Sequence, residues 1–298
     1  MHGTFEPPSD AAGLADLNQA AEALWQACSG AWPALSIEVL PEVASTNTRA
    51  LHMGREGADA PCVVVAWRQT AGRGRSGRTW QAEPGHTLTL SLALPLALDA
   101  VPGGGSALSL AVGLSVAESI DGLRGPGARP IGLKWPNDLW VDDRKLGGIL
   151  IEASTAPALA PTQRWVVIGL GLNLDLSVDA PSDRLSLREM GLPLSPGQAM
   201  LALVPGLLQV CSAFETEGFA PLATRYAQRD VLAGREVGLW KLQAPSPTEP
   251  QGADARGLAI GVAPDGALQV QALGPDGQAQ GEPMLWRMGE VSVRPSPR

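Results

Sequence analysis

The sequence predicts an α+β protein, a sheet with helices followed by a small all-β barrel at the C-terminal end. Two observations carry this. From Ile37 onward, short apolar runs alternate with stretches of helical periodicity. Near Ala233 the pattern changes to closely spaced strand candidates separated by turn signals. At 298 residues and 45% hydrophobic content, the chain can bury a substantial core and form one large domain plus a small one. The expected divisions are an N-terminal extension with one helix (1–35), a main domain (36–232) and the barrel (233–298).

Residues 11–28 place Leu14, Leu17, Ala21, Leu24, Trp25 and Cys28 at spacings of three and four, an amphipathic helix expected to lean on the main domain. CVVVAW (62–67) reads as a buried strand, and HTLTLSLAL (86–94) alternates so that Leu88, Leu90, Leu92 and Leu94 share a face. SALSLAVGLSVAESIDG (106–122) reads as a helix capped by Ser106 and stopped at Gly122. IGLKW, LWVDD, LGGILIEA and WVVIGLGLNL follow as four strands, the middle two joined by a turn around Asp143 and Arg144. After Pro196 a helical pattern runs to Gly218, with a kink expected at Pro205. REVGLWKL, RGLAIGV, ALQVQAL, MLWRM and EVSVR complete the strands, with a hairpin turn at APDGA and a proline-rich excursion at 244–254.

Charge and composition narrow the function. A net charge of −8, and no basic residue before Arg49, argue against a nucleic-acid-binding protein, so any anion site must be local. Cys28, Cys62 and Cys211 are widely spaced, which suggests neither a disulfide framework nor a zinc site and fits a reducing cytosol, a cytoplasmic setting. His2, His52 and His86 have no partners at metal-ligand spacing. The N-terminus lacks a signal-peptide pattern, and the uncharged run at 100–117 is too short to span a bilayer, so no membrane association is expected.

AGRGRSGRTW (71–80) satisfies the GxGxxG template and nearly satisfies GxxxxGK(S/T). Both templates need a helix directly after the glycines, because its N-terminus supplies the phosphate site. Here a turn and a period-two strand follow instead. The stretch therefore reads as a flexible loop between strands, whose glycines permit close approach to a ligand and whose Arg73, Arg75 and Arg78 suit an anion.

A second polar segment, KWPNDLWVDDRKLGGIL (134–150), contains two of the chain's three lysines, Lys134 and Lys145, against nineteen arginines. A lysine retained in an arginine-rich chain suggests a compact point charge is wanted. Lys145 precedes Leu146, Gly147 and Gly148, so its ammonium can project beside exposed backbone. Asp138 suits a lysine, a magnesium ion or turn capping. Ser45, Thr46 and Asn47 sit at a strand-to-helix transition, where helix capping alone would explain them.

Taken together, STN at 45–47, WRQTAGRGRSGRTW at 67–80, KWPNDLWVDDRKLGGILIE at 134–152 and VIGLGLNL at 167–174 resemble the biotin protein ligases in order and spacing, over roughly residues 36–298. The resemblance implies a mixed sheet with helices, related to the class II aminoacyl-tRNA synthetases, followed by an SH3-like barrel. It implies that biotin and MgATP form biotinyl-5'-AMP and pyrophosphate, after which a lysine of a biotin carboxyl carrier protein attacks the mixed anhydride. By the same resemblance Ser45, Thr46, Asn47, Gln69, Gly72, Arg73, Gly74, Arg75, Lys145, Gly148 and Gly169 bind biotin. Arg75, Arg78, Trp80, Asn137, Lys145 and Asn173 meet the nucleotide, Lys145, Arg73 and Asp138 are catalytic, and Asp138 is the candidate ligand for Mg2+. The lipoate ligases share this logic, but the pairing of AGRGRSGRTW with KWPND favours biotin. The acidic segment before Ser45 resembles the monofunctional form rather than a DNA-binding regulator. Arg184 falls where the family's repressor member stacks a tryptophan on adenine.

Overall fold

The protein is described from a computed structural model over residues 9–101, 104–240, 255–274, 277–287 and 292–296. The expected proline-rich excursion at 244–254, His2 and most of the N-terminal stretch lie outside these residues.

Helix α1 (Asp10–Cys28) starts under a cap from Ser9, whose hydroxyl accepts the amide of Ala12. Its buried face (Leu17, Leu24, Cys28) leans on the main domain as the periodicity predicts, but Trp25, expected on that face, is 49% exposed. Strands β1 (Ser36–Val43) and β2 (Cys62–Gln69) pair in parallel, with α2 (Thr46–Arg55) as the crossover. β3 (Thr87–Leu96), β4 (Gly132–Lys134), β5 (Asp138–Val141), β6 (Arg144–Ser154) and β7 (Arg164–Asn173) then pair antiparallel. The order β1-β2-β3-β7-β6-β5-β4 makes one mixed seven-stranded sheet.

Helix α3 (Leu108–Arg124) differs from expectation at both ends. A 3₁₀ turn at Gly104–Ala107 precedes it, so Ser106 is not its cap, and it runs through Gly122 to end at Gly125. Gly125 has φ 78 and ψ 173, a positive-φ extended conformation that glycine adopts and residues with a side chain avoid, and is therefore the stop. Helix α4 (Pro196–Glu217) opens with a capping box between Ser195 and Gln198 and continues unbroken through Pro205. The segments containing α3 and α4 are long and apolar enough to cross a membrane by length and composition, but each is at least half buried. They pack on one another and, with α1, on one face of the sheet, where Leu88, Leu90 and Leu92 share a core face as predicted. Helix α2 covers part of the other face through Ala50, against Val64, Trp165 and Val167.

After the short α5 (Ala223–Ala227), strands β8 (Glu236–Trp240), β9 (Ala255–Val262), β10 (Leu268–Leu273), β11 (Ala279–Trp286) and β12 (Ser292–Pro295) form an antiparallel sheet in the order β11-β10-β9-β8-β12. Gly266, with φ 84, makes the expected β9–β10 turn. Its carbonyl accepts the indole N–H of Trp135 at 3.1 Å, which ties the small sheet to the main one.

Candidate active site

Side-chain alternation explains where the cleft lies. On β7, Trp165 and Val167 pack under α2, but the next two positions on that face are Gly169 and Gly171. These bare positions lie on the floor of a cleft of about 720 Å³. The register sets two rows across its floor. One row holds Ser91, Gly169 and Leu150; the next holds Thr89, Gly171, Gly148, Asp138 and Lys134. The rows are two residues apart, roughly 7 Å.

The first row meets the N-terminus of α2. Ser45 stands at the cap position but makes no capping bond, so helix capping is not the role of the Ser-Thr-Asn triplet. Instead Thr46 donates its backbone N–H to Gln69 Oε1 at 2.8 Å, and Ser91 Oγ donates to Asn47 Oδ1 at 2.6 Å. Asn47 Nδ2 donates to the Leu150 carbonyl at 3.2 Å and to Glu152 Oε2 at 3.0 Å. Backbone and carboxylate partners fix both amide orientations, so Gln69 presents its Nε2 donors at this end of the cleft. A Cβ at Gly169 would lie 2.1 Å from Asn47 Oδ1, so glycine is required for Asn47 to lie across β7.

The arginine loop is a tight hairpin rather than an open flexible loop. Trp80 N–H donates to the Gly72 carbonyl at 3.0 Å, and Gly74 N–H to the Arg78 carbonyl at 2.7 Å. The tip carries two left-handed residues, Ser76 (φ 55) and Gly77 (φ 73). A Cβ at Gly72 would stand 2.3 Å from the Trp80 carbonyl oxygen. Gly72 therefore allows the two arms to meet and is not among the residues that line the cleft. As expected, no helix follows the glycines: only a three-residue 3₁₀ turn lies at Arg75–Gly77.

The second row is the cationic end. Lys145 Nζ donates to Asp138 Oδ1 at 2.6 Å, while Lys134 Nζ lies 4.0 Å from Asp138 Oδ2 and 4.8 Å above the Trp140 ring. Burial pushes the Lys134 ammonium down to about 8, against the pull of Asp138. Burial raises the Asp138 carboxyl, but the two lysines beside it outweigh that and hold it below its usual value. Arg75, lowered by burial, donates to Asn137 Oδ1 at 3.2 Å. Asn137 is held in turn by its Nδ2 bond to the Ile149 carbonyl at 2.7 Å. With Arg78 nearby, the cations outnumber the carboxylates and the end suits an anion.

Trp80 lies flat on Gly171, where a Cβ would be 2.3 Å from its ring. Its indole N–H is buried with no hydrogen-bond partner among the described residues, a donor that a ligand acceptor would satisfy. Across the cleft, residues 181–184 run beside Lys145, whose N–H donates to the Asp183 carbonyl at 2.7 Å. Asn173 clamps that segment: its Nδ2 donates to the carbonyls of Lys145 (3.1 Å) and Leu185 (3.0 Å), so its amide hydrogens are committed to backbone. Arg184 lines the cleft and donates to Gln81 Oε1 at 3.0 Å.

The structure thus gathers Ser45, Thr46, Asn47, Gln69, Arg73, Gly74, Arg75, Arg78, Trp80, Asn137, Asp138, Lys145, Gly148, Gly169 and Asn173 around one cavity. Arg73 sits apart from the other arginines: its guanidinium bonds Glu152 at 3.0 Å instead of facing Lys145. Sequence reasoning missed Lys134, Gly171 and Val293 of β12 as cleft residues, and Glu152 as the partner of Asn47 and Arg73. Gly171 had a signal, since Gly169, Gly171 and Asn173 alternate at period two; Val293 arrives from the other sheet and had none.

Residues 39–173 match the Biotin/lipoate A/B protein ligase family. The bifunctional ligase/repressor BirA of Escherichia coli is 32% identical over 263 residues, covering 87% of this chain and 74% of the relative. The biotin–[acetyl-CoA-carboxylase] ligase of Mycobacterium tuberculosis is 35% identical over 189 residues, 63% of this chain and 64% of that one. Among solved structures, the Aquifex aeolicus biotin protein ligase in complex with biotin and ATP superposes with a TM-score of 0.65 at 25% identity, covering 88% of this chain and 99% of that one. The chain belongs to this family of protein ligases, and within it to the biotin protein ligases.

Proposed function

We propose that the cleft joins biotin to the α-phosphate of ATP and then passes the biotinyl group to a lysine of a biotin carboxyl carrier protein. The observation that carries this reading is the division of the cleft. An amide and hydroxyl end at Ser45–Asn47 and Gln69 suits a neutral ureido ring. A cationic end at Lys134, Lys145, Arg75 and Arg78 suits a carboxylate beside a phosphate. Leu150 and the glycine floor lie among them. The names of the related ligases, one solved with biotin and ATP, support the same reading.

In the first step a carboxylate oxygen attacks the α-phosphorus and pyrophosphate leaves. Two anions must meet, so the cations bring them within range and offset charge developing on phosphorus. In the second step the acceptor amine attacks the mixed-anhydride carbonyl and AMP leaves. Asp138, hemmed in by two lysines, is a weak proton acceptor, and its work is to aim the Lys145 ammonium. Both its oxygens face ammonium groups, so the donor set does not fit a protein-held Mg2+. No acidic cluster suited to a metal occurs among the described residues. A divalent ion entering with ATP would be held by the phosphates.

The test is transfer of radiolabelled biotin to a carrier domain with and without ATP, with lipoic acid as competitor. Label on the carrier only with ATP, undiminished by lipoic acid, is the expected result. Label without ATP, or preferential use of lipoic acid, would sink the proposal.

A further inference from the structure

We infer that Glu152 is a positioning residue of the head-group end, tying the arginine hairpin to the amide of Asn47. The inference rests on reading the cleft as a biotin site. Three elements meet at one atom: Glu152 Oε2, on β6, accepts from Arg73 of the hairpin at 3.0 Å and from Asn47 of α2 at 3.0 Å. The Glu152 side chain is only 22% exposed, so its charge is partly desolvated and needs these donors.

The position of Glu152 follows from alternation. It stands two residues beyond Leu150 on the cleft face of β6, paired with Val167, so it approaches the first row from the edge of the cleft. Its two bonds have separate consequences. The bond to Asn47 helps hold Nδ2 toward β6 and Oδ1 toward Ser91, which fixes a side chain that lines the head-group end. The bond to Arg73 anchors the first arm of the hairpin, while Arg75, two residues on, reaches the cationic end through Asn137. One carboxylate thereby couples the position of the hairpin to the shape of the head-group end. An isolated exposed ion pair would matter little; this one shares its acceptor with a buried amide in the cleft wall.

The experiment uses the whole chain carrying Glu152→Gln, Arg73→Gln or both. Two readouts are taken: steady-state constants for each substrate, and the rate of trypsin cleavage after Arg75 and Arg78, which every variant retains, without ligand. Losing a charge-assisted bond is expected to raise KM for biotin about tenfold. In Glu152→Gln at saturating biotin, kcat and the KM for ATP should change less than about twofold. Hairpin cleavage should rise several-fold in either single variant, and the double variant should add nothing further. An unchanged biotin KM, a fall in kcat at wild-type biotin KM, or unchanged cleavage in a variant with wild-type Tm would overturn the proposal. If Glu152→Gln does not fold, Glu152→Asp, which keeps the charge but shortens its reach, should show both effects in weaker form, and wild-type behaviour there also overturns it. The cleavage assay needs no catalysis. A wild-type chain that forms no biotinyl-AMP would defeat the functional reading while the tether is still measured.

Discussion

Lys145 Nζ lies 2.6 Å from Asp138 Oδ1, and the two residues reach each other from adjacent strands beside Gly148. A Cβ at Gly148 would lie 3.1 Å from that ammonium and 3.3 Å from that oxygen, so the pair packs closely over a bare backbone position. Lys145→Ala should cost about 2–4 kcal/mol of transition-state stabilisation, a loss of roughly 30- to 1000-fold in biotinyl-AMP formation. Asp138→Asn, which leaves the cation but loosens its aim, should cost about tenfold. Single-turnover pyrophosphate release reports both, and wild-type rates in Lys145→Ala would remove it from the chemistry.

Lys134 should give the reaction an alkaline limit. Its folded value of about 8 lies below the usual lysine value, so the cation is lost from the cleft as pH rises through about 8. The kcat/KM for ATP should fall on that limb, and Lys134→Gln should flatten it while lowering activity at neutral pH. Stability moves the other way. A depressed lysine burdens the folded state while both states are protonated, below about 8, and the burden lifts as pH rises toward the ordinary lysine range. Chemical denaturation of wild type and Lys134→Gln across that window separates the two effects.

Gly169→Ala should damage the head-group end selectively. The new methyl would sit 2.1 Å from Asn47 Oδ1, and Asn47 is 4% exposed and bonded on three sides, so it cannot swing away without losing partners. KM for biotin should rise by at least about tenfold, and the fold should lose about 1–3 kcal/mol. Calorimetric titration with biotin and thermal melts would show both; unaltered biotin affinity would count against Asn47 as part of the site.

Helix α1 should be integral to the catalytic unit. Asp16 accepts from Ser195 Oγ at 2.9 Å and from Gly197 N–H at 2.8 Å, and Asp10 accepts the Trp67 indole N–H at 2.7 Å, on the strand that carries Gln69. Leu24 is fully buried, so Leu24→Ala should lower stability by about 2–5 kcal/mol. Urea unfolding measures this, and a change under about 0.5 kcal/mol would mean the helix is only loosely held.

What the sequence disclosed was local chemistry; what it hid was register. Lys145 stood out as a rare lysine beside two glycines, whereas Ser45–Asn47, which helix capping alone would explain, and Gln69 were readable only through the resemblance to the biotin protein ligases. The hairpin misled, because glycine spacing reports backbone freedom without saying what uses it, and Gly72 uses it to meet Trp80. Glu152 resembled an ordinary strand-end acid, and only the β6–β7 pairing brings it level with the head-group end. Lys134 was noticed for its rarity, yet its place in the Asp138 row depends on the β4–β5 pairing. Gly122 and Gly125 show the same limit on a small scale: either suits a helix end, and the fold chose the second.

The two rows of the cleft floor cross the same strands β3, β7 and β6 two residues apart, so the distance between the head-group end and the activating cations is set by the covalent repeat of the strands and held in register by their pairing, and no ligand can stretch it. The sheet acts as a ruler. An acid with the same ring system but one methylene more or fewer in its side chain should still be held at Gln69, and should present its carboxylate out of step with Lys145. Such homologues would be inhibitors that occupy the enzyme without being adenylated, which makes chain length, as much as ring recognition, the gate to the reaction.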